Sequence, residues 1–464
     1  MITGPDVRLF ADDPMEFFGG SRHAMHTMPS HDLAALQLAA LRLRFAELRD
    51  RLPVLRAMAD EQGIDGITRL DDAAPLLFPH TIYKSYPASL LLEGRFDRLT
   101  TWLSRLVTVD LSGLDVSGCD SIDGWLDLLD GRTELRLAHS SGTSGTMSFI
   151  PHTREQYTGL YDIVRLEVLP GPERSGERLD VVWPGFRTGR SGIDRHAAAM
   201  AERIAGSPDR FHSAHPGPLS ADVMFLAARL RAAAARGEAG RMEIPATLRE
   251  RRAEFEEAQR AAAAGMGRYV EELAERLAGR RVVSLSLWAT YHEMATAGLA
   301  RGIEGVFAPD SVIFPGGGAK GTALPADWAR DVERFAGVPA LRYCYAMAEV
   351  IALNLICPRG RYHIEPWVVL YVLDPDTGAP LPREGTRTGR AAFFDLLADV
   401  CWGGFVSGDE VTVDWSPCGC GRTTPHLATD IGRYSDRRGD DKITCAATPE
   451  ALNDALDFLN GALL

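Results

Sequence analysis

The chain has 464 residues, 45% hydrophobic and 24% charged, with a formal net charge of −13. That length allows a large core and more than one lobe, and the negative balance argues against a general nucleic-acid binder, which would show a basic field. No apolar run approaches the roughly 18 residues that cross a bilayer, and the N-terminal "MITGPDVRLFADDPMEFFGG" has acids where a signal peptide has a basic start. A cytoplasmic enzyme with no membrane partner is therefore expected. The seven cysteines are an odd number, which argues against a disulfide framework. The only lysines are Lys84, Lys320 and Lys442.

In chain order, "HDLAALQLAALRLRFAELRDRLPVLRAMADEQG" repeats Leu and Ala at three- and four-residue steps and predicts an amphipathic helix pair. "TRLDDAAPLLFPHTIYKSYP" predicts loops and short turns. From about Arg178, the β-branched runs "LDVVWPGF", "RVVSLSLWAT", "DSVIFPGGG" and "ALRYCYAM" alternate with helical stretches such as 250–278. This alternation predicts βαβ units around a buried sheet. Beyond Pro366, "WVVLYVLDPDTGAPL", "GRAAFFDLL" and "DEVTVDW" predict an antiparallel subdomain with tight turns. The class is thus α/β, and the Ala/Arg/Glu helices between 219 and 278 read as structural or as a lid.

The most pointed segment is "LAHSSGTSGTMSFIPHT" (137–153). Its glycines let backbone N–H groups converge on an anion, and Ser140, Ser141, Thr143, Ser144 and Thr146 add hydroxyl donors, a combination suited to a polyphosphate. It is not a P-loop, which needs Gly-x4-Gly-Lys-Ser/Thr, nor a Gly-x-Ser-x-Gly elbow, since the fifth residue from Gly142 is Thr146. The bland alternative is a Ser/Gly surface linker, which its apolar flanks disfavour. "GGGAKG" (316–321) satisfies Gly-x-Gly-x-x-Gly, but the acid a dinucleotide fold places about 20 residues on is missing from "GVPALRYCY". Cys357 and His363 in "CPRGRYH", with Cys418 and Cys420 in "PCGCGR", supply three thiolates and an imidazole. That set suits a closed, structural tetrahedral zinc site; the alternative is ordinary buried cysteines.

These motifs together resemble the adenylate-forming superfamily, which activates acids as acyl-adenylates. "SSGTSGT" is similar to its phosphate loop, and "EQGIDGITRLDDAAPLLFPHT", "GFRTGRSGIDRHAA", "PGGGAKG", "YAMAE", "SGD" and "DIGR" follow in the family's order over nearly the whole chain. The branch most similar holds phenylacetate coenzyme A ligases and the acyl-protein synthetases of bacterial luminescence. The resemblance implies an ATP-binding domain over 1–430 and a truncated C-terminal segment over 431–464.

It also implies site roles. Ser140, Ser141, Gly142, Gly145 and Thr146 would hold phosphates beside Thr143 and Ser144, and Gly316, Gly317 and Gly318 would let backbone approach adenine. Tyr345 would stack on adenine, Glu349 would hold Mg2+, Asp409 would accept both ribose hydroxyls, and Arg433 would contact the ribose or a phosphate. Ala346 and Ala348 depart from the family's Tyr-Gly-x-Thr-Glu, which removes one hydroxyl. Relatives use a lysine near the end of a mobile C-terminal domain. Here the terminal segment falls below the roughly 40 residues that fold alone, Lys442 sits at a hinge-like "DDKI", and either Lys320 or arginines substitute for that lysine or adenylation proceeds without it. The resemblance implies an acid, aromatic ones included, passed from AMP to an amine, coenzyme A or a carrier-protein thiol. Arg187 or Arg190 would meet the acid, with Trp183, Phe186, Trp288 and Tyr291 as a candidate pocket wall. The competing readings are a non-catalytic nucleotide binder and a nicotinamide-dependent oxidoreductase built on "GGGAKG".

Overall fold

The computed structural model describes residues 3–141, 146–170, 176–237, 265–318 and 323–434, with a few positions between 250 and 257. Near the N-terminus, α1 (Arg22–Thr27) is capped by Ser21, whose hydroxyl accepts from Ala24 N. α2 (Ser30–Leu48) and α3 (Pro53–Gln62) are the expected helix pair. α2 buries Leu33, Leu36, Leu41, Phe45 and Leu48. α3 opens on a proline and stops at Gly63, whose φ of 65° is the left-handed conformation glycine adopts without strain. The turn-rich stretch after it holds two 3-10 turns and β1 (Phe78–Pro79), which runs parallel to Phe405–Val406.

α4 (Ile122–Arg132) precedes a hairpin of β2 (Ala138–Ser141) and β3 (Met147–Ile150), with Ser141 opposite Met147. α5 (Arg154–Val168) begins in a capping box: Thr153 N donates to Gln156 Oε1 over 3.0 Å, and Gln156 N donates back to the Thr153 hydroxyl over 3.3 Å.

Next come β4 (Asp180–Thr188), α6 (Gly192–Met200), β5 (Phe211–Pro218), α7 (Ala221–Ala235), α8 (Gly265–Leu277), β6 (Val282–Leu287), α9 (Trp288–Leu299), β7 (Val312–Gly316) and α10 (Trp328–Ala336). The four strands form a parallel sheet in the order β5-β4-β6-β7. Helices cover its faces, so the inner strands read as continuous apolar runs. β5 was not expected from the sequence, because "FHSAHPGP" has neither an apolar run nor alternation. It lies at the sheet edge, where proline and polar residues are tolerated. Of the stretch 250–278, the helix described continuously is Gly265–Leu277.

β8 (Cys344–Met347) corrects the βαβ expectation for "ALRYCYAM". It leaves the parallel sheet and pairs antiparallel with β9 (Val350–Leu355). The final layer contains β10 (Tyr362–His363), β11 (Val368–Leu373), β12 (Thr386–Asp395), β13 (Gly404–Asp414), β14 (His426–Leu427) and β15 (Gly432–Arg433). Its order is β10-β14-β13-β12-β11, with β1 and β15 also on β13, which is the antiparallel subdomain expected beyond Pro366. One core joins α2, α3, α5 and the inner faces of both sheets, and a second fills the space beneath the β2–β3 hairpin around Trp125, Leu126 and Phe149.

Candidate functional site

The stem of the Ser/Gly/Thr loop is seated on two other motifs. Ala138 and Ile150, at the base of the hairpin, share an apolar cluster with Tyr83, Leu106 and Phe405, and Met347 and Ala348 pack against it. Ser140 pairs with Ser148, and Thr146 directly precedes β3. Gly142, Thr143, Ser144 and Gly145 lie outside the described residues.

A second contact fixes the turn between β8 and β9. His152 lies 2.6 Å through Nε2 from the Ala348 carbonyl, and a Cβ on Gly192, the first residue of α6, would fall 2.9 Å from the Ala348 methyl. His139 N donates to the Arg190 carbonyl over 2.9 Å, tying the hairpin to the same end of α6. The hairpin, the start of α6 and the β8–β9 turn therefore converge on Ala348, the position where the resemblance led us to expect a hydroxyl. Glu349 completes that turn and is half-buried. Its charge reaches Tyr83, Tyr157 and Tyr345, whose phenols are all raised, chiefly by burial.

The glycine loop approaches from the neighbouring strand. Gly316 ends β7, and a Cβ there would lie 3.0 Å from Cys344 Sγ, while Gly317 and Gly318 have φ of 74° and 62°. Side chains would be strained at both. Lys320 lies outside the described residues. The next strand, β8, does not return to the parallel sheet, so "GGGAKG" does not open the βαβ unit of a dinucleotide fold.

Tyr345, Asp409 and Arg433 meet. The Tyr345 phenol donates to Asp409 Oδ2 over 2.9 Å, and Arg433 Nη1 donates to Oδ1 over 3.0 Å. Asp409 and Arg433 are register partners across β13 and β15. The Asp409 amide donates to the Ser407 hydroxyl over 3.1 Å, which itself donates to the Ala391 carbonyl over 2.7 Å. Burial, and then the Asp409 charge, hold the Tyr345 phenol well above its ordinary range, so it stays protonated and donates. Each carboxylate oxygen keeps acceptor capacity beyond its one partner.

Other expectations change. Arg187 donates to the carbonyls of Phe211 and Pro208 over 3.0 and 3.3 Å. Arg190 is ion-paired with Asp127 and Asp130 on α4. Both expected acid contacts are thus engaged inside the fold. Trp183 and Tyr291 are core residues, 2% and 0% exposed, and the Tyr291 hydroxyl donates to Ser284 Oγ over 2.8 Å. Phe186 and Trp288 remain half-buried at the ends of β4 and β6. Sequence reading missed Asn354, whose amide donates to the Tyr345 carbonyl over 3.0 Å. The available signal was one amide inside the apolar run "VIALNL".

Cys357, His363, Cys418 and Cys420 come together as expected, with ligand atoms all within 4.8 Å of one another. Cys357 Sγ and Cys418 Sγ are 3.9 Å apart, and Cys420 Sγ lies 3.3 Å from His363 Nε2. A tetrahedral zinc with Zn–S of about 2.3 Å and Zn–N of about 2.0 Å sets those separations at about 3.8 and 3.5 Å, so the donor set fits the ion.

Two similar turns present the sulfurs. Cys357 N donates to Arg361 O and Cys418 N to Arg422 O, each over 2.8 Å, with Gly360 and Gly421 at φ of 68° and 92°. Burial, then Arg422, pushes the His363 imidazole down to about 3, leaving the neutral form a metal needs. Its other nitrogen, Nδ1, is 3.1 Å from the Thr424 hydroxyl, which is also 3.1 Å from His26 Nδ1 on α1. Glu365 lies 3.5 Å from His26 Nε2 and accepts two hydrogen bonds from Arg22.

No family model and no curated protein sequence matches this chain. Among solved structures, the chain is similar to 2-hydroxyisobutyryl-CoA ligase in complex with 2-HIB-AMP and CoA in the thioesterification state. The match has a TM-score of 0.52 and 16% identity, and covers 88% of this chain and 70% of that one. An open conformation of the same ligase with 2-HIB-AMP and CoA aligns at a TM-score of 0.49 and 16% identity, over 90% of this chain and 74% of that one. ATP-bound MatB from Rhodopseudomonas palustris aligns over 65% of this chain and 48% of its own, with a TM-score of 0.33 and 15% identity.

Proposed function

We propose, for a chain whose fold is similar to that of a CoA ligase solved with its acyl-adenylate, an ATP-dependent ligase of the adenylate-forming kind that activates a carboxylic acid as its adenylate and releases pyrophosphate. The observation that carries this is the Tyr345–Asp409–Arg433 cluster, with Asp409 held through both oxygens. A carboxylate fixed in this way presents its remaining lone pairs to two vicinal hydroxyls, which is what a ribose offers. Tyr345 supplies a ring for adenine beside it, and Gly316 to Gly318 leave room for the backbone to approach the base.

The acid oxygen attacks the α-phosphorus in line, the bond to the bridging oxygen breaks, and pyrophosphate departs with those electrons. The protein contributes position and charge stabilisation. Backbone amides and hydroxyls of the 140–146 loop, including Gly142, Thr143, Ser144 and Gly145, cradle the departing phosphates, and Lys320 is assigned to the developing charge. Mg2+ supplied with ATP would be held by Glu349 and would neutralise phosphate charge. Zinc at Cys357, His363, Cys418 and Cys420 would be structural, since all four positions are filled by protein.

The acid enters at the C-terminal ends of the parallel strands, where open α/β sheets bind ligands, beside Phe186 and Trp288. An aryl-sized acid suits those rings. An amine, coenzyme A or a carrier-protein thiol then displaces AMP. We assign 1–430 to nucleotide binding and activation and 431–464 to a short C-terminal segment.

Pyrophosphate release measured over aryl, hydroxy, fatty and amino acids tests the proposal. Acid-dependent release with ATP is expected, and its absence with every acid while AMP still binds would favour a second reading. That reading, a nucleotide binder without catalysis, is supported by Ala348 in place of the hydroxyl.

A further inference from the structure

We infer that the Cys357/His363/Cys418/Cys420 centre anchors the nucleotide hairpin, and that Asn354 is the positioning residue that passes its grip to Tyr345. This rests on the nucleotide reading of Tyr345 given above. The hairpin β8–β9 stands outside the parallel sheet, and its pairing shifts register between Tyr345 and Met347. A strand pair alone is marginal, and although β9 is buried in the main core, the contacts at the open end help set the position of Tyr345.

Arg342 N, just before β8, donates to the Ile313 carbonyl over 3.0 Å; two further links at this end belong to the metal knuckle. Ile356, next to Cys357, donates its amide to the Tyr343 carbonyl over 3.0 Å. Two residues beyond His363, the Glu365 amide donates to Asn354 Oδ1 over 3.1 Å, while Asn354 Nδ2 donates to the Tyr345 carbonyl over 3.0 Å. Asn354 is 4% exposed, so its amide has both ends engaged where water does not compete. The ligand pair Cys357 and His363 therefore brackets the chain between the two points that hold Tyr343 and Tyr345.

The other two ligands come from the opposite side. Cys418 and Cys420 follow the end of β13 at Asp414, and β13 carries Asp409. One metal would thus join the exit of β9 to the exit of β13. The Tyr345–Asp409 hydrogen bond joins β8, the partner strand of β9, to β13 at the site itself. Loss of the ion frees one of these two joints, and the phenol then loses its fixed angle to the carboxylate.

The test uses the full chain and AMP, which needs no divalent ion for adenosine contacts. Zinc content and affinity are read by competition with a chromophoric chelator, and AMP affinity by calorimetry, for the zinc-loaded protein, the chelator-stripped protein and loaded Asn354→Ala. One zinc per chain is expected. Stripping should weaken AMP binding about tenfold, the worth of one buried hydrogen bond, and zinc should restore it. Asn354→Ala should keep its zinc affinity and lose AMP affinity by the same factor. Equal AMP affinity with and without zinc overturns the anchor but leaves the nucleotide reading intact, whereas AMP and ATP binding to no form overturns that reading. Failure to take up zinc overturns the anchor as well. Should the stripped protein lose its helical circular dichroism, the loaded variant decides: AMP affinity equal to wild type sinks the role of Asn354.

Discussion

The phenol of Tyr345 and the carboxylate of Asp409 share a 2.9 Å hydrogen bond across two strands that belong to different sheets. Removing either partner has different consequences. Asp409→Ala deletes the acceptor that both the phenol and Arg433 use, so AMP affinity should fall by about 10- to 100-fold, the range for hydrogen bonds to a charged group. Tyr345→Phe keeps the ring and should cost less. Calorimetric AMP titration of both variants checks this order, and equal losses would contradict it.

Ala348 has a steric partner in Gly192. A Cβ on Gly192 would sit 2.9 Å from the Ala348 methyl, closer than carbon atoms approach without displacement. Alanine is the better helix former by up to about 1 kcal/mol, but overpacking costs about 1–3 kcal/mol, so the clash should win. Gly192→Ala is expected to lower stability and to displace the turn carrying Glu349. The double variant Gly192→Ala/Ala348→Gly should recover much of the loss, and a thermal-denaturation double-mutant cycle reads that coupling directly.

Much of this architecture could be read from periodicity, and its failures are local. β4, β6 and β7 were legible because both faces of a parallel sheet are buried, and β11 to β13 because strand-like runs are bounded by tight Asp, Pro and Gly turns. β5 was not, since an edge strand needs no apolar run. β8 looked like another sheet strand because pairing partners leave no mark on a four-residue run. At the proposed site, motif order singled out Tyr345, Asp409 and Arg433, but not that one carboxylate joins all three across sequence separations of 64 and 24 residues. Arg187 and Arg190 looked available for the acid because their partners, backbone carbonyls and α4 acids, lie far away in sequence.

Asp395 makes stability depend on pH. It is 1% exposed and accepts from Ile351 N and Leu397 N over 2.8 and 2.9 Å. Burial raises it from an ordinary carboxylate value to about 7. The folded state therefore holds its proton through a window in which the unfolded chain has released it. The sign follows: this contribution is fully present below about pH 4 and is lost as pH rises toward 7, at up to about 1.4 kcal/mol per unit. Asp395→Asn removes the titration and leaves one amide unmatched. The variant should be less stable at pH 5 and should lose less stability between pH 5 and 7, as followed by urea denaturation at each pH. Parallel pH profiles for the two proteins would rule this out.

Thr424 sits between the metal site and the N-terminal helix. Its hydroxyl is 3.1 Å from His363 Nδ1 and 3.1 Å from His26 Nδ1, and it is fully buried. A hydroxyl has a single proton, so it donates to one imidazole and accepts from the other, and that choice fixes the tautomer of His363. For His363 to bind zinc through Nε2, its Nδ1 must carry the proton and donate to Thr424. The Thr424 proton then points to His26. Thr424→Val preserves shape but removes the relay, and losing such an outer partner typically costs about 10- to 100-fold in metal affinity. The Thr423 hydroxyl donates to the Met28 carbonyl over 2.6 Å, and its amide to the His26 carbonyl over 2.8 Å, so α1 should stay docked in the variant. Competition with a chromophoric chelator measures the affinity, and limited proteolysis near α1 separates loss of metal from loss of docking. An unchanged zinc affinity would show that the tautomer of His363 is set without Thr424.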